Sequence, residues 1–208
     1  MIAITAANGH LGQAVAAELL ARNAASRVRL AVRSTEKLQT QQDQGFEVVR
    51  ADYDDPASLD AALAGVSTLL LISSNGTNED RIRQHKTAID AARRAGVARI
   101  VYTSFTNPSF DSAFVWAHPH AETEPYLKDS GLAWTILRNN RYFTNIDPML
   151  EQAVQKGTFA IPGASGKVAY AGHDDLAAAA ATVLLQDGHA GKTYELTGRN
   201  ESASHDGP

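Results

Sequence analysis

Gly9 and Gly12, three residues apart and following Ala6 at the same spacing, form the stretch of this 208-residue chain best suited to chemistry. Glycine lets backbone approach a ligand closely, because no Cβ intervenes. The turn joins an apolar run, Ile2 to Ile4, to a helical pattern with Leu11, Val15, Leu19 and Leu20 on one face. Amide groups at such a helix N-terminus can receive a dinucleotide's pyrophosphate. Gly9 would admit the phosphate, and Gly12 would let the helix pack tightly on the sheet. Ala6 adds a methyl group where backbone commonly meets cofactor, and it turns without strain only at negative φ. The plain alternative is a strand-turn-helix that binds nothing.

Two further positions bear on a nucleotide. Arg33 closes the next apolar run, Val28 to Val32, where an acidic residue would favour a ribose 2′-OH. An arginine there suits a 2′-phosphate, since its planar fork pairs with phosphate oxygens, and this favours NADP(H) over NAD(H). Asp52 ends the run Phe46 to Arg50 and is open to two roles, contact with an adenine amino group or turn formation. Asp55, before Pro56, reads as a helix cap. The small-residue stretch Ser73-Ser74-Asn75-Gly76 leaves room for backbone to lie beside a cofactor.

These residues need a sheet whose strand ends share one edge. The chain supplies it as alternating apolar runs and helical patterns: a helix from Ser34 to Gln44, another from Ser58 to Ala64, a buried strand from Thr68 to Ile72. A long helix from Glu79 to Ala95 carries Ile82, Ile89 and Ala92 on one face, and its His85 reads as a surface or packing residue. Strands follow at Ile100–Thr103 and Ala133–Leu137, separated by the helix Pro119–Asp129. The pattern predicts a doubly wound parallel sheet of the Rossmann type. Asn107 to Pro119 breaks the rhythm with Phe110, Phe114 and Trp116, either walling a pocket for a flat ring or packing as a flap.

Bulk properties narrow the classes. Net charge is −4 without a basic block, which argues against nucleic acid. The absence of cysteine removes disulfides and thiolate chemistry. No apolar run approaches a membrane span, and Met1 opens directly into the first strand, so the expectation is a cytoplasmic protein.

Several strings together resemble the NmrA-like branch of atypical short-chain dehydrogenase/reductases. They are the Gly9 and Gly12 turn, Ala51-Asp52-Tyr53, Leu69 to Ser74, Tyr102-Thr103-Ser104, and above all His120 to Asn139. Within that branch the chain is most similar to the type 2 NADPH-dependent quinone oxidoreductases, and also to triphenylmethane dye reductases. The resemblance implies a cofactor domain over residues 1–198, of which about 144–198 contributes to a substrate lobe. By position it implies cofactor contacts at Ala6, Asn8, Gly9, His10, Leu11, Arg33, Ser73, Ser74 and Asn75. It extends them to Arg138, Asn139, Asn140, Arg141, Tyr142 and Phe143 near the nicotinamide, and to Tyr170. Neither flavin nor metal is expected.

The superfamily's usual acid is a tyrosine with a lysine four residues on; here that spacing reads Trp116-Ala-His-Pro-His120. Trp116 cannot protonate an alkoxide. Quinone reduction asks less, because the oxygen that gains charge becomes a stabilised phenolate. His120, Tyr102, Asn139 or Tyr142 could supply the hydrogen bond, with His120 favoured as proton donor.

Beyond Gly198 family members continue with more helices, whereas residues 199–208 are polar and aperiodic, suggesting a disordered tail in which His205 is solvated. The substrate lobe reads as shortened, which favours a homodimer or a protein partner. The leading expectation is an NADPH-dependent oxidoreductase passing a hydride to quinones or similar flat acceptors. The rival is a non-catalytic NmrA-like sensor that binds NADP(H) and acts through a protein partner.

Overall fold

Seven parallel strands carry the molecule in a computed structural model, which describes residues 1–158, 167–198 and 202–203. In chain order, β1 (Ile2–Thr5), α1 (His10–Ala21), β2 (Val28–Val32), α2 (Gln39–Asp43), β3 (Glu47–Arg50) and α3 (Pro56–Leu63) form the first half. β4 (Thr68–Leu71), α4 (Asn78–Arg94), β5 (Arg99–Phe105), α5 (His118–Lys128) and β6 (Ala133–Asn139) continue it. Then come α6 (Asp147–Lys156), β7 (Lys167–Val168), α7 (His173–Leu185), β8 (Lys192–Leu196) and β9 (Ser202–Ala203).

The main sheet runs β3-β2-β1-β4-β5-β6-β8. β1 pairs with β2 on one side and β4 on the other, with Ile4 opposite both Leu30 and Leu70. The chain thus leaves β1 in one direction and returns on its other flank, which opens a crevice at the strands' C-terminal edge. This is the expected Rossmann-type sheet.

Both faces are apolar, as a parallel sheet between helices requires. Ile4, Leu30, Leu70, Val101 and Leu137 meet α1 and α7 through Val15, Leu19, Leu176 and Ala180. Ala3, Leu69, Leu71, Ile100 and Ile136 meet α3, α4 and α5 through Leu59, Ile89 and Leu127. Local chemistry sets the helix starts. The Asp55 carboxylate accepts the Ser58 amide at 3.2 Å ahead of Pro56, and Thr77 accepts the Asp80 amide at 3.1 Å.

Some expectations shift. Ser34 to Gln44 is not one helix but a 3₁₀ turn, Thr35–Leu38, followed by the short α2. Ser34 makes no capping bond and Leu38 is the segment's one buried side chain, too little apolar face to hold a longer helix. β5 reaches Phe105 and β6 reaches Asn139, so Arg138 and Asn139 are strand residues. Of the polar 199–208 segment, Ser202 and Ala203 pair antiparallel with Lys167 and Val168 instead of lying unstructured. The rest of it, His205 included, and the 159–166 part of the predicted crossing segment lie outside the described residues. α6 buries none of its residues, and Val154 is 85 % exposed.

Candidate functional site

The turn between β1 and α1 separates the roles of its residues by geometry. Ala6 has φ +51°, in the left-handed region, contrary to the negative φ that would have let it turn freely. Its carbonyl accepts the Gly9 amide at 3.0 Å, closing the turn. A Cβ on Gly12 would lie 2.6 Å from the Ala7 Cα, so this position is glycine for packing alone. A Cβ on Gly9 would meet the Ala6 carbonyl at 3.4 Å, an ordinary contact. No contact among the described residues demands glycine at position 9, and the position is open on the cleft side. Gly9 caps α1 without a side chain, and the first helical bond joins the Gln13 amide to the Gly9 carbonyl. The amides ahead of it face an open cleft.

That cleft has two connected parts, since Ala6, Asn8, Gly9, Ser73, Ser74 and Asn75 line both. The smaller, about 270 Å³, lies over the ends of β1, β2 and β3 and is walled by Arg33, Asp52 and Tyr53. Arg33 is exposed and meets no carboxylate among the described residues. Asp52 has the turn-forming role, since its carboxylate accepts the Asp54 amide at 3.1 Å, and it also lines the cleft. Beneath it the half-buried Tyr53 places its hydroxyl to donate to the Ile72 carbonyl at 2.5 Å, 2.7 Å from Thr5 Oγ1. These bonds tie β3 to β1 and β4 and hold Ser73 at the rim; burial pushes the phenol pKa up. Uncapped amides, an open Gly9 and an Arg33 with no carboxylate partner among the described residues form a donor set that fits a phosphorylated dinucleotide.

The larger part, about 930 Å³, continues past His10 and Leu11 to Phe105, Phe114, Trp116, His120, Asn140, Arg141 and Tyr142. The aromatic loop is therefore a pocket wall at Phe114 and Trp116, while Phe110 turns outward and is 60 % exposed. Trp116 belongs to a 3₁₀ turn preceding α5, not to the helix that carries His120. Tyr142 is fixed through the backbone: the Phe143 amide bonds the Ala171 carbonyl at 3.2 Å, and the Ala171 amide bonds the Arg141 carbonyl at 2.9 Å. Its hydroxyl accepts Asn139 Nδ2 at 3.2 Å, so its own proton remains available to the cleft. Burial raises the Tyr142 pKa and keeps that proton in place.

Below the aromatic wall runs a buried polar chain from Arg81 to Ser74. Arg81 Nη2 lies 2.9 Å from His120 Nε2, and His120 Nδ1 lies 2.7 Å from the Tyr102 hydroxyl. Tyr102 continues to His85 Nδ1 at 3.2 Å, and His85 Nε2 accepts the Ser74 amide at 3.0 Å. A guanidinium and a backbone amide can only donate, so both Nε2 atoms accept. Each neutral imidazole then carries its proton on Nδ1, facing the core. Burial, helped by the Arg81 charge, lowers the His85 pKa to about 3 and the His120 pKa well below the usual histidine range.

The proton-donor role expected of His120 is thus not what this arrangement supplies, and Tyr102 is wholly buried beneath it. His85, expected as a surface or packing residue, is a buried junction of this chain. Asn139 is buried and reaches the cleft through Tyr142 alone. Arg138 points away, between Glu124 at 2.7 Å and Glu195 at 2.9 Å, because its strand position faces α5. Phe143 is exposed beside Tyr170, rings 5.7 Å apart, and neither lines the cleft. The residue missed from sequence was Arg81. Positions 81, 85, 88, 89, 91 and 92 form the buried stripe of α4, and polar side chains at two of them are the available signal.

Comparison with known proteins agrees with this geometry. The model of the NAD(P)H-binding family matches residues 6–187. Quinone oxidoreductase 2 of Escherichia coli K12 is 44% identical over 198 residues, 95% of this chain and 68% of that protein. A crystal structure of Citrobacter sp. triphenylmethane reductase complexed with NADP(H) superposes with TM-score 0.90 at 39% identity, over 97% of this chain and 71% of that one. The E. coli NADPH-dependent quinone oxidoreductase complexed with NADPH gives TM-score 0.89 at 42% identity, over 98% and 71%. With a family match over residues 6–187, this chain belongs to the NAD(P)H-binding family and is a relative of quinone oxidoreductase 2.

Proposed function

We propose that this chain is an NADPH-dependent oxidoreductase that reduces quinones or similar flat acceptors. The observation that carries the reading is the continuity of one cleft from the Gly9 turn and Arg33 to the aromatic wall of Phe114 and Trp116. The similarity to E. coli quinone oxidoreductase 2 supports the acceptor class. The reduced nicotinamide, when bound, supplies the hydride. Gly9 and the first amides of α1 hold the phosphates, and Arg33 selects the 2′-phosphorylated form. Phe105, Phe114 and Trp116 hold the acceptor ring flat and exclude water. Tyr142 donates its free proton as a hydrogen bond to the acceptor oxygen that gains charge, and Asn139 fixes that hydroxyl. One solvent proton then completes the hydroquinone.

A calorimetric titration with NADPH and with NADH, followed by 1,4-benzoquinone, tests this reading. The expected result is tighter binding of NADPH and loss of nicotinamide absorbance when quinone is added. Binding without oxidation would refute the reductase and favour a sensor; no binding would refute both.

A further inference from the structure

The acceptor end of the cleft is cationic without a counter-charge. No aspartate or glutamate lines it among the described residues, yet two guanidiniums do. Arg81 is 7 % exposed and has three neutral partners: the Ser74 carbonyl at 2.9 Å, the Trp116 carbonyl at 3.3 Å and His120 Nε2 at 2.9 Å. A guanidinium has five N–H donors, so two are left over. Arg141 is half-buried, and its Nε is buried without a partner. Each lies against the aromatic wall, Arg81 over Trp116 at 5.8 Å and Arg141 over Phe114 at 5.1 Å. Elsewhere the chain treats such a side chain differently: Arg138 meets Glu124 at 2.7 Å and Glu195 at 2.9 Å. Removing a cation from water without an anion is costly, so charge left open at a pocket wall points to an anionic ligand.

We propose that this site takes flat aromatic acceptors that bear an acidic substituent, a carboxylate or sulfonate, bound between Arg81 and Arg141 while the ring lies on Phe114 and Trp116. The proposal rests on reading this part of the cleft as the acceptor site. The acidic group takes no part in the reaction, which consumes one hydride and one solvent proton per quinone. His120 is a positioning residue: its Nε2 holds Arg81 at the wall.

The test separates this inference from the reductase reading. Naphthalene-2-sulfonate and 2-naphthol, neither reducible here, are titrated into protein saturated with NADP⁺, which fills the phosphate cradle. Turnover of neutral 1,4-benzoquinone is measured alongside. The expected result is about tenfold tighter binding of the sulfonate, the gain of a partly buried charged hydrogen bond. That ratio should fall toward one in Arg141→Met and in Arg81→Met, and recover in part in Arg81→Lys. Because the ratio uses 2-naphthol as its own control, partial damage to the fold in either variant does not mimic the effect. Should Arg81→Met fail to fold, Arg141→Met carries the test. Equal binding of the two probes, or a preference unchanged in Arg141→Met, would overturn the proposal even if quinone is reduced. Sulfonate preference without quinone turnover would keep the anion site and reject the reductase.

Discussion

Nη2 of Arg81 stands 2.9 Å from Nε2 of His120, and that single contact decides which way the histidine's proton points. Since the guanidinium must donate, His120 accepts on Nε2 and turns its Nδ1 proton toward the Tyr102 hydroxyl, whose oxygen lies 2.7 Å from Nδ1, away from the cleft. Buried His85 is arranged in the same sense by the Ser74 amide. Both imidazoles are held neutral by structure that the unfolded chain lacks.

The consequence is a pH dependence of stability with a definite sign. The unfolded histidines protonate near pH 6.5, whereas folded His85 resists until about pH 3 and folded His120 until well below 6.5. Between those values the unfolded state binds more protons, so stability is fully present above pH 6.5 and drains as pH falls. From pH 6.5 to 5 the loss from His85 should approach about 1.5 kcal/mol, and His120 adds to it in the same direction. Urea unfolding across that interval measures it, and a flat profile would reject the buried neutral pair.

Gly9 and Gly12 should respond oppositely to a methyl group. Gly12→Ala forces a Cβ to 2.6 Å from Ala7 Cα and should cost about 1–3 kcal/mol of stability. Gly9→Ala meets only an ordinary contact and should cost less than about 1 kcal/mol, yet weaken NADPH binding by roughly tenfold or more. Denaturant midpoints and calorimetric affinities on the two variants settle the contrast. If Gly9→Ala binds NADPH like the parent, the phosphate does not rest at this turn.

Arg33, exposed and free of carboxylates among the described residues, should govern cofactor choice without affecting the fold. Arg33→Glu should weaken NADPH by roughly tenfold to a hundredfold, the worth of a charged hydrogen bond, while NADH changes little. Equal loss of both cofactors would contradict a 2′-phosphate contact.

The sequence by itself determined the sheet and the glycine turn, and it located the aromatic loop without deciding between pocket wall and flap. Apolar runs of strand length alternate with capped helical patterns, and the glycine spacing is set by local backbone sterics; both are properties of neighbouring residues. It also marked Arg33, Asp52 and Ser73 to Asn75, because strand ends in a parallel sheet share one edge. What it left open depends on side chains distant in the chain. Whether Arg138 faced the cleft or Glu124 depended on how far β6 continued, since one residue of strand reverses a side chain. Whether His120 could release a proton to the cleft depended on Arg81, 39 residues earlier and on another helix. Proton placement in a buried network follows from which partners are obligate donors, and only the tertiary structure brings those partners together.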